Sequence, residues 1–212
     1  MQPNGAAAFN VSGDAYDRFM GRYSRPLAVE FATFADIDEA ALRVLDVGCG
    51  PGALTAELVR RVGASSVLAC DPSPSFVAAC AARNPGVEVR SGTAEQVPFD
   101  DDSVDAAVAQ LVLHFVSDPP AAAAELGRVV RPGGIIAACV WDFDEGMEML
   151  RSFWDAALQV DPGAPDEARV LRFGRLGELS AWLSAGGFTD VVETTLTVAS
   201  TYTGFEELWA GF

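Results

Sequence analysis

From about residue 43 the chain repeats one pattern four times: a short apolar run, a turn, then a segment with helical spacing. The first unit is "RVLDVG" followed by Leu54–Val62, where Leu54, Leu58 and Val62 share one helical face. The second is "SVLACD", then Ser73-Pro74, a cap and a first-turn proline for a helix through Ala82. The third, "VEVRSGTAEQVPF", is a weaker strand running into a loop with one helical turn. In the fourth, "VDAAVAQLVLHF" leads to Pro119-Pro120, which open a helix to about Val130. "RPGG" then turns the chain into a fifth strand, "IIAACVW". Strands that are apolar almost throughout, alternating with helices, predict a mostly parallel sheet covered on both faces. Right-handed crossovers make it a doubly wound, three-layer α/β/α sheet of Rossmann-like type.

The flanks are read by the same rules. The first eight residues are expected to be disordered, and 13–35 carry apolar positions such as Leu27, Phe31 and Phe34 at helical spacing. After the fifth strand a helix is predicted over 145–160, rich in methionine and aromatics (Met147, Met149, Leu150, Phe153, Trp154). It reads equally as core and as a wall of an apolar pocket. A helix over 176–185 follows, stopped by Gly186-Gly187, and "FTDVVETTLTVASTY" alternates like an edge or antiparallel sixth strand. With no linker, repeat or low-complexity tract, residues 9–212 read as a single domain.

Composition narrows what this sheet can do. The net charge is −16, from 30 acidic and 14 basic residues, and every base is arginine. Lacking lysine, the chain cannot form a Schiff base, supply a phosphate-loop lysine or build a Tyr-x-x-x-Lys dehydrogenase site. So acidic a surface repels phosphate backbones, which argues against nucleic acid and anionic membranes as partners. No apolar run reaches the ~18 residues of a membrane span, and "MQPNGAAAFN" lacks a secretory pattern, so a cytoplasmic protein is expected. Four scattered cysteines and one histidine, His114, make no zinc-type cluster and no disulfide framework. Asp100-Asp101-Asp102 reads as a solvated turn, and no metal is expected.

In open sheets of this kind ligands bind at the carboxyl ends of strands, where the strand order reverses. There stands the turn Gly48-Cys49-Gly50-Pro51-Gly52, whose glycines let backbone approach a ligand and whose following helix offers free N–H groups. Gly48, Gly50 and Ala53 only loosely fit G-x-G-x-x-G/A, a weak signal shared with dinucleotide binders. Asp71, ending the second strand, is placed to accept hydrogen bonds from a ribose diol. Asp46, an acid within an apolar strand, needs hydrogen-bond donors, and the N–H groups of the turn are the expected partners.

"LDVGCGPG", "ACDPSPSFV", "GTAEQVPFDDDSVDAAVAQLVLHFV" and "RVVRPGGIIA" resemble, in order and spacing, class I S-adenosylmethionine-dependent methyltransferases of the ubiquinone/menaquinone-biosynthesis type, over about residues 43–141. The N-terminal "YDRFMGRYSRPLA" resembles the segment that folds over the cofactor in small-molecule members. The resemblance implies methyl transfer from S-adenosylmethionine to a small molecule by in-line displacement, leaving S-adenosylhomocysteine. It places Asp46, Gly48, Cys49 and Gly50 at the amino-acid end of the cofactor and Asp71 on the ribose, with Pro72 beside the adenine. It sets Ala94 and Glu95 at the adenine edge, Gln110 toward the methionine part, and Tyr16 and Tyr23 in the lid. His114, just past the fourth strand, is a candidate base for an acceptor that must lose a proton, set against a plain packing role. The family's seven strands include a last one inserted between the fifth and sixth. Here the chain stops at "EELWAGF", soon after the sixth, which either a shortened chain or a reduced sheet would explain; without a seventh strand, the fifth and sixth either pair directly or leave an edge open to a second copy. The rival readings are an NAD(P)-dependent oxidoreductase, which shares the glycine turn and ribose acid, and a non-catalytic S-adenosylmethionine-binding module.

Overall fold

The computed structural model describes residues 20–38, 42–143 and 145–209. Tyr16, the first eight residues and the 13–19 part of the lid lie outside them. Five parallel strands form one sheet in the order β3-β2-β1-β4-β5: β1 Val44–Val47, β2 Val67–Asp71, β3 Glu88–Ser91, β4 Val104–Gln110 and β5 Val130–Cys139. The chain winds outward from β1 to β3, then crosses back to lay β4 against β1's other side. The order therefore reverses between β1 and β4, and a crevice opens at their carboxyl ends.

Strand alternation distributes the core. Leu45 and Val47 of β1 join Leu126 of α4 (Pro119–Val129) and Leu179 of α7 (Glu178–Ala185) on one face. On the other face Val44 joins Phe31 of α1 (Gly21–Phe34) and Leu58 of α2 (Ala53–Val62). This second side also receives Asp46, the only acid of the strand, and there it meets Thr55 of α2.

Helix ends follow local chemistry. Gly52, at φ +97°, stands before α2, and Gly63, at φ +84°, ends it. Arg60 and Arg61 occupy its last turn, where cations suit the helix dipole, and both pair with Glu57. Pro74 opens α3 (Pro74–Arg83), and the Asp118 carboxylate caps α4 by accepting the Ala121 N–H at 3.1 Å. Beyond β5 come α5 (Glu148–Val160), a single turn α6 (Glu167–Val170), α7, and a short α8 (Phe205–Trp209). α5 is amphipathic and half-exposed, with Phe153 packed edge-on against Trp154 at 5.1 Å.

Two boundaries depart from the sequence reading. "RPGG" is not a turn ahead of β5 but its opening, since Val130 already pairs with Val104 and the irregularity falls between Val104 and Ala106. The expected sixth strand does not form: residues 191–200 carry no regular structure. They run along the far side of a trough of about 1380 Å³ whose near wall is the outer edge of β5. Alternation alone does not make a strand; a ladder partner is required, and the trough lies between this segment and the open edge of β5.

Candidate functional site

The glycine turn is set by the backbone. The N–H groups of Gly48 and Cys49 both donate to the Cys70 carbonyl, at 2.8 and 3.0 Å, which bends the chain sharply as it leaves β1. Gly48 sits at φ +72°, and a Cβ there would come within 2.4 Å of a Val112 methyl. Gly50, at φ +52°, has no atom within 4 Å of where its Cβ would stand. The turn thus presses on Val112 at its first glycine and faces open space at the second.

Asp71 links this turn to β2. Its carboxylate is 6 % exposed and accepts the Gly50 N–H at 2.9 Å and the Ser73 N–H at 2.8 Å. Burial raises its pKa, and the two backbone donors oppose that rise. Asp46 is more deeply set, at 1 % exposure, and its partner is the Thr55 hydroxyl at 2.6 Å, not the N–H groups of the turn. Those N–H groups are engaged by Cys70 and Asp71. Burial pushes the Asp46 carboxyl up to about 7 against the Thr55 hydrogen bond.

Gln110 ends β4 at the point of strand reversal. Its amide nitrogen donates to the Ser24 carbonyl of α1 at 2.9 Å, while its Oε1 is buried without a partner, as is the Ser24 hydroxyl. Ser24, Asp46, Gly50, Gln110 and Leu111 line a cavity of about 30 Å³, roughly the share of one water in the liquid. Two orphaned polar atoms beside it are unspent hydrogen-bonding capacity of the kind a polar ligand takes up.

Above the cavity, α1 is tied to the carboxyl-terminal segment. The Tyr23 hydroxyl lies 2.7 Å from that of Tyr202, Arg22 pairs with Glu207 and covers the Tyr202 ring, and Tyr23 meets Trp141 edge-on. Burial drives the Tyr23 phenol up to about 12.

Other predicted residues stand further off. Ala94 is buried in the main core, and Pro72 is half-exposed beside Asp71. The Glu95 carboxylate accepts the Ser117 N–H and hydroxyl at 2.8 and 2.9 Å, which tethers its loop to the start of α4. Burial raises the Glu95 pKa, but the Ser117 hydrogen bonds outweigh it and the net shift is downward. His114 is buried, with Nδ1 2.5 Å from the Arg172 carbonyl and Nε2 accepting the Trp141 N–H at 2.7 Å. Both nitrogens are committed, and burial lowers its pKa to about 4. It joins the end of β4 to the end of β5 and to the loop before α7. Among the described residues no cluster of His, Cys, Asp and Glu could hold a metal ion.

Sequence reasoning missed Ser24, Thr55 and Val112. Thr55 had a signal, because a buried strand acid needs a donor on the next helix. Ser24 had none, since only tertiary docking brings α1 to Gln110.

A protein-family model described as a methyltransferase domain matches residues 45–138. An uncharacterised methyltransferase of Mycobacterium tuberculosis is 39% identical over 145 residues, 68% of this chain and 56% of that protein. A malonyl-[acyl-carrier protein] O-methyltransferase of Halorhodospira halophila is 32% identical over 153 residues, 71% of this chain and 49% of that one. The chain thus spans about half the length of these relatives. A solved SAM-dependent methyltransferase of Thermotoga maritima superposes with a TM-score of 0.55 at 24% identity, covering 84% of this chain and 81% of that one.

Proposed function

We infer that this chain, which carries a class I S-adenosylmethionine-dependent methyltransferase domain, transfers a methyl group from that cofactor to a small-molecule acceptor. The observation that carries the reading is the Asp71–Gly50 link. A strand-end carboxylate fixes the glycine turn at 2.9 Å, beside a cavity bordered by the orphaned Gln110 Oε1.

The residues present suit the cofactor. Asp71 would accept from the ribose hydroxyls, Gly48 and Gly50 would let the backbone approach, and Gln110 Oε1 and the Ser24 hydroxyl would bind the amino-acid end. When bound, S-adenosylmethionine supplies a methyl group on a positively charged sulfur, already a good electrophile. The protein's share is to hold cofactor and acceptor in line, a gain in effective concentration rather than covalent chemistry. His114, with both nitrogens engaged, is assigned to shaping the acceptor side, and an acceptor proton is left to another group or to water. A cavity of about 30 Å³ is too small for an amino-acid moiety, so its walls would give way to admit one. A small acyl acceptor is in keeping with the Halorhodospira relative, whose name states O-methylation of malonyl-[acyl-carrier protein], a short acid carried on a protein.

The test is titration calorimetry with S-adenosylmethionine. Charged hydrogen bonds contribute about 1.5–3 kcal/mol, so Asp71→Ala is expected to weaken binding by about tenfold or more. An unchanged affinity removes Asp71 from the site. Release of S-adenosylhomocysteine in the presence of a candidate acceptor, and none without it, establishes transfer.

A further inference from the structure

β5 ends the sheet, and its outer edge carries unpaired backbone groups. The Cys139 carbonyl faces β4, where it accepts the Leu111 N–H at 2.8 Å. Backbone groups alternate sides along a strand, so the N–H and C=O of Ile136 and Ala138 face the other way, into the trough. Among the described residues no strand takes them up. The side chains of β5 stand above and below this edge. Ile136 and Ala138 pack into the cluster that holds Leu179 of α7, Ile135 and Cys139 into the one that holds Phe31 of α1. Leu183 of α7 and Phe34 of α1 extend the two walls, so a segment lying against β5 is covered by apolar side chains on both faces. The far wall, residues 191–200, is pinned at its two ends. The Glu193 carboxylate accepts the Gly177 N–H at 3.0 Å and the Ser180 hydroxyl at 2.7 Å, and Arg22 donates to the Thr201 carbonyl at 3.3 Å.

The space between these walls has the size of one strand. Each strand residue takes about 3.3 Å of length, about 4.8 Å of width between neighbours and about 10 Å of depth between layers. A trough of about 1380 Å³ therefore holds roughly eight or nine residues, close to the 10 of β5. We propose that the trough is a docking slot for one extended segment of another protein, apolar along its middle and basic at its ends, which joins the sheet beside β5. The inference is independent of the methyl-transfer reading.

Chemistry selects this occupant. A hydrocarbon chain would match the apolar walls but leave the Ile136 and Ala138 backbone groups buried without partners, whereas a peptide backbone satisfies them. A slot covered on both faces takes a near-continuous apolar run, and "VVETTLTVAS" at 191–200, with Glu193 and its threonines, is not one. Charge decides the ends. Of the described residues lining the trough, five are acidic and two basic, and Arg131, one of the two, is paired with Asp105. Tyr23 meets Trp141 just past β5, so α1 runs from the carboxyl end of β5 toward its amino end, where Asp36 follows. Asp142 and Glu148 stand at the carboxyl end. A net charge of −16 repels a second copy and draws in a cationic segment. Leu176 and Val192, exposed at the rim, offer apolar surface on entry.

The probe is a fluorescein-labelled peptide of sequence RRVIVTVIVRR, titrated with the intact chain and followed by anisotropy. Saturable binding is expected at about 1–100 μM, with amide exchange slowed at Ile136, at Ala138 and over 191–200 and unchanged in β3. Two altered peptides leave the protein untouched. N-methylation at alternate residues removes the N–H donors along one edge, and glutamate in place of every arginine reverses the charge. Each is expected to weaken binding about tenfold or more. Asp36→Asn combined with Glu148→Gln, both exposed, should weaken the parent peptide about threefold or more. No saturable binding, equal binding of either altered peptide, an unchanged affinity in the double variant, or protection at β3 instead of β5 would overturn the proposal. Displacement of the peptide by sodium dodecanoate at lower concentration than by unlabelled peptide assigns the trough to a hydrocarbon chain and overturns it too. So does a dimer in sedimentation that protects Ile136 and Ala138 without peptide, which makes the occupant a second copy.

Discussion

Gly48 is where one atom decides most. An alanine there has to hold φ at +72° and place its Cβ 2.4 Å from a Val112 methyl. The left-handed backbone costs about 1–2 kcal/mol and the overlap about 1–3. Gly48→Ala is therefore expected to lower stability in urea melts by about 2–5 kcal/mol, and adding Val112→Ala should restore the steric part but not the backbone part. Two buried groups nearby impose opposite pH slopes. Asp46, raised from 3.8 to about 7, keeps its proton in the folded state where the unfolded chain has lost it. Its contribution thus falls as pH rises from about 4 to 7. His114, lowered from 6.5 to about 4, is protonated first in the unfolded chain, so its contribution is full above about 6.5 and is lost as pH falls toward 4. Relative to the parent, Asp46→Asn should gain about 2 kcal/mol in urea melts between pH 5 and pH 8. His114→Gln should flatten the acid limb between pH 6.5 and 4. The turn glycines, Asp46 and Asp71 were legible in sequence because backbone freedom and a lone acid in an apolar strand leave marks on the chain itself. The engagement of both His114 nitrogens was not, since Arg172 and Trp141 reach it only through folding.

At the scale of elements, α1 packs its Phe31 face into the core and covers the cavity with Ser24. It is held over the cavity by Gln110 and Ser24 at one point and by the Tyr23–Tyr202 and Arg22–Glu207 contacts at another. Loosening the second should leave the sheet intact while freeing the helix. Tyr202→Ala is expected to speed amide hydrogen exchange over 21–34 about tenfold with exchange in β1 and β4 unchanged. Equal slowing or quickening of both regions would mean that α1 opens only with the whole domain. The five strands and the helices between them were readable because each carries its own signal of apolar run, cap or breaker. The sixth strand was misread for an equally physical reason: period-two alternation reports which way side chains point, not whether a neighbouring ladder exists.

For the whole molecule, charge dominates. With a net charge of −16 the folded chain repels itself, and salt relieves this. Raising sodium chloride from about 10 mM to 0.5 M shortens the screening length from roughly 30 Å to a few ångströms. The thermal midpoint should climb by several degrees in a fluorescence melt, and a flat response would mean that the internal ion pairs, such as Arg128 with Glu125 and Asp101, already balance the repulsion. The same screening acts on the outer margin of β5. That margin and residues 191–200 face each other across the trough with no ladder between them, and dilute, salt-poor solutions keep neighbouring copies too far apart to reach it. Concentrated, salt-rich ones do not. The buffer expected to protect the fold best against heat is therefore also the one in which charge least guards that open margin.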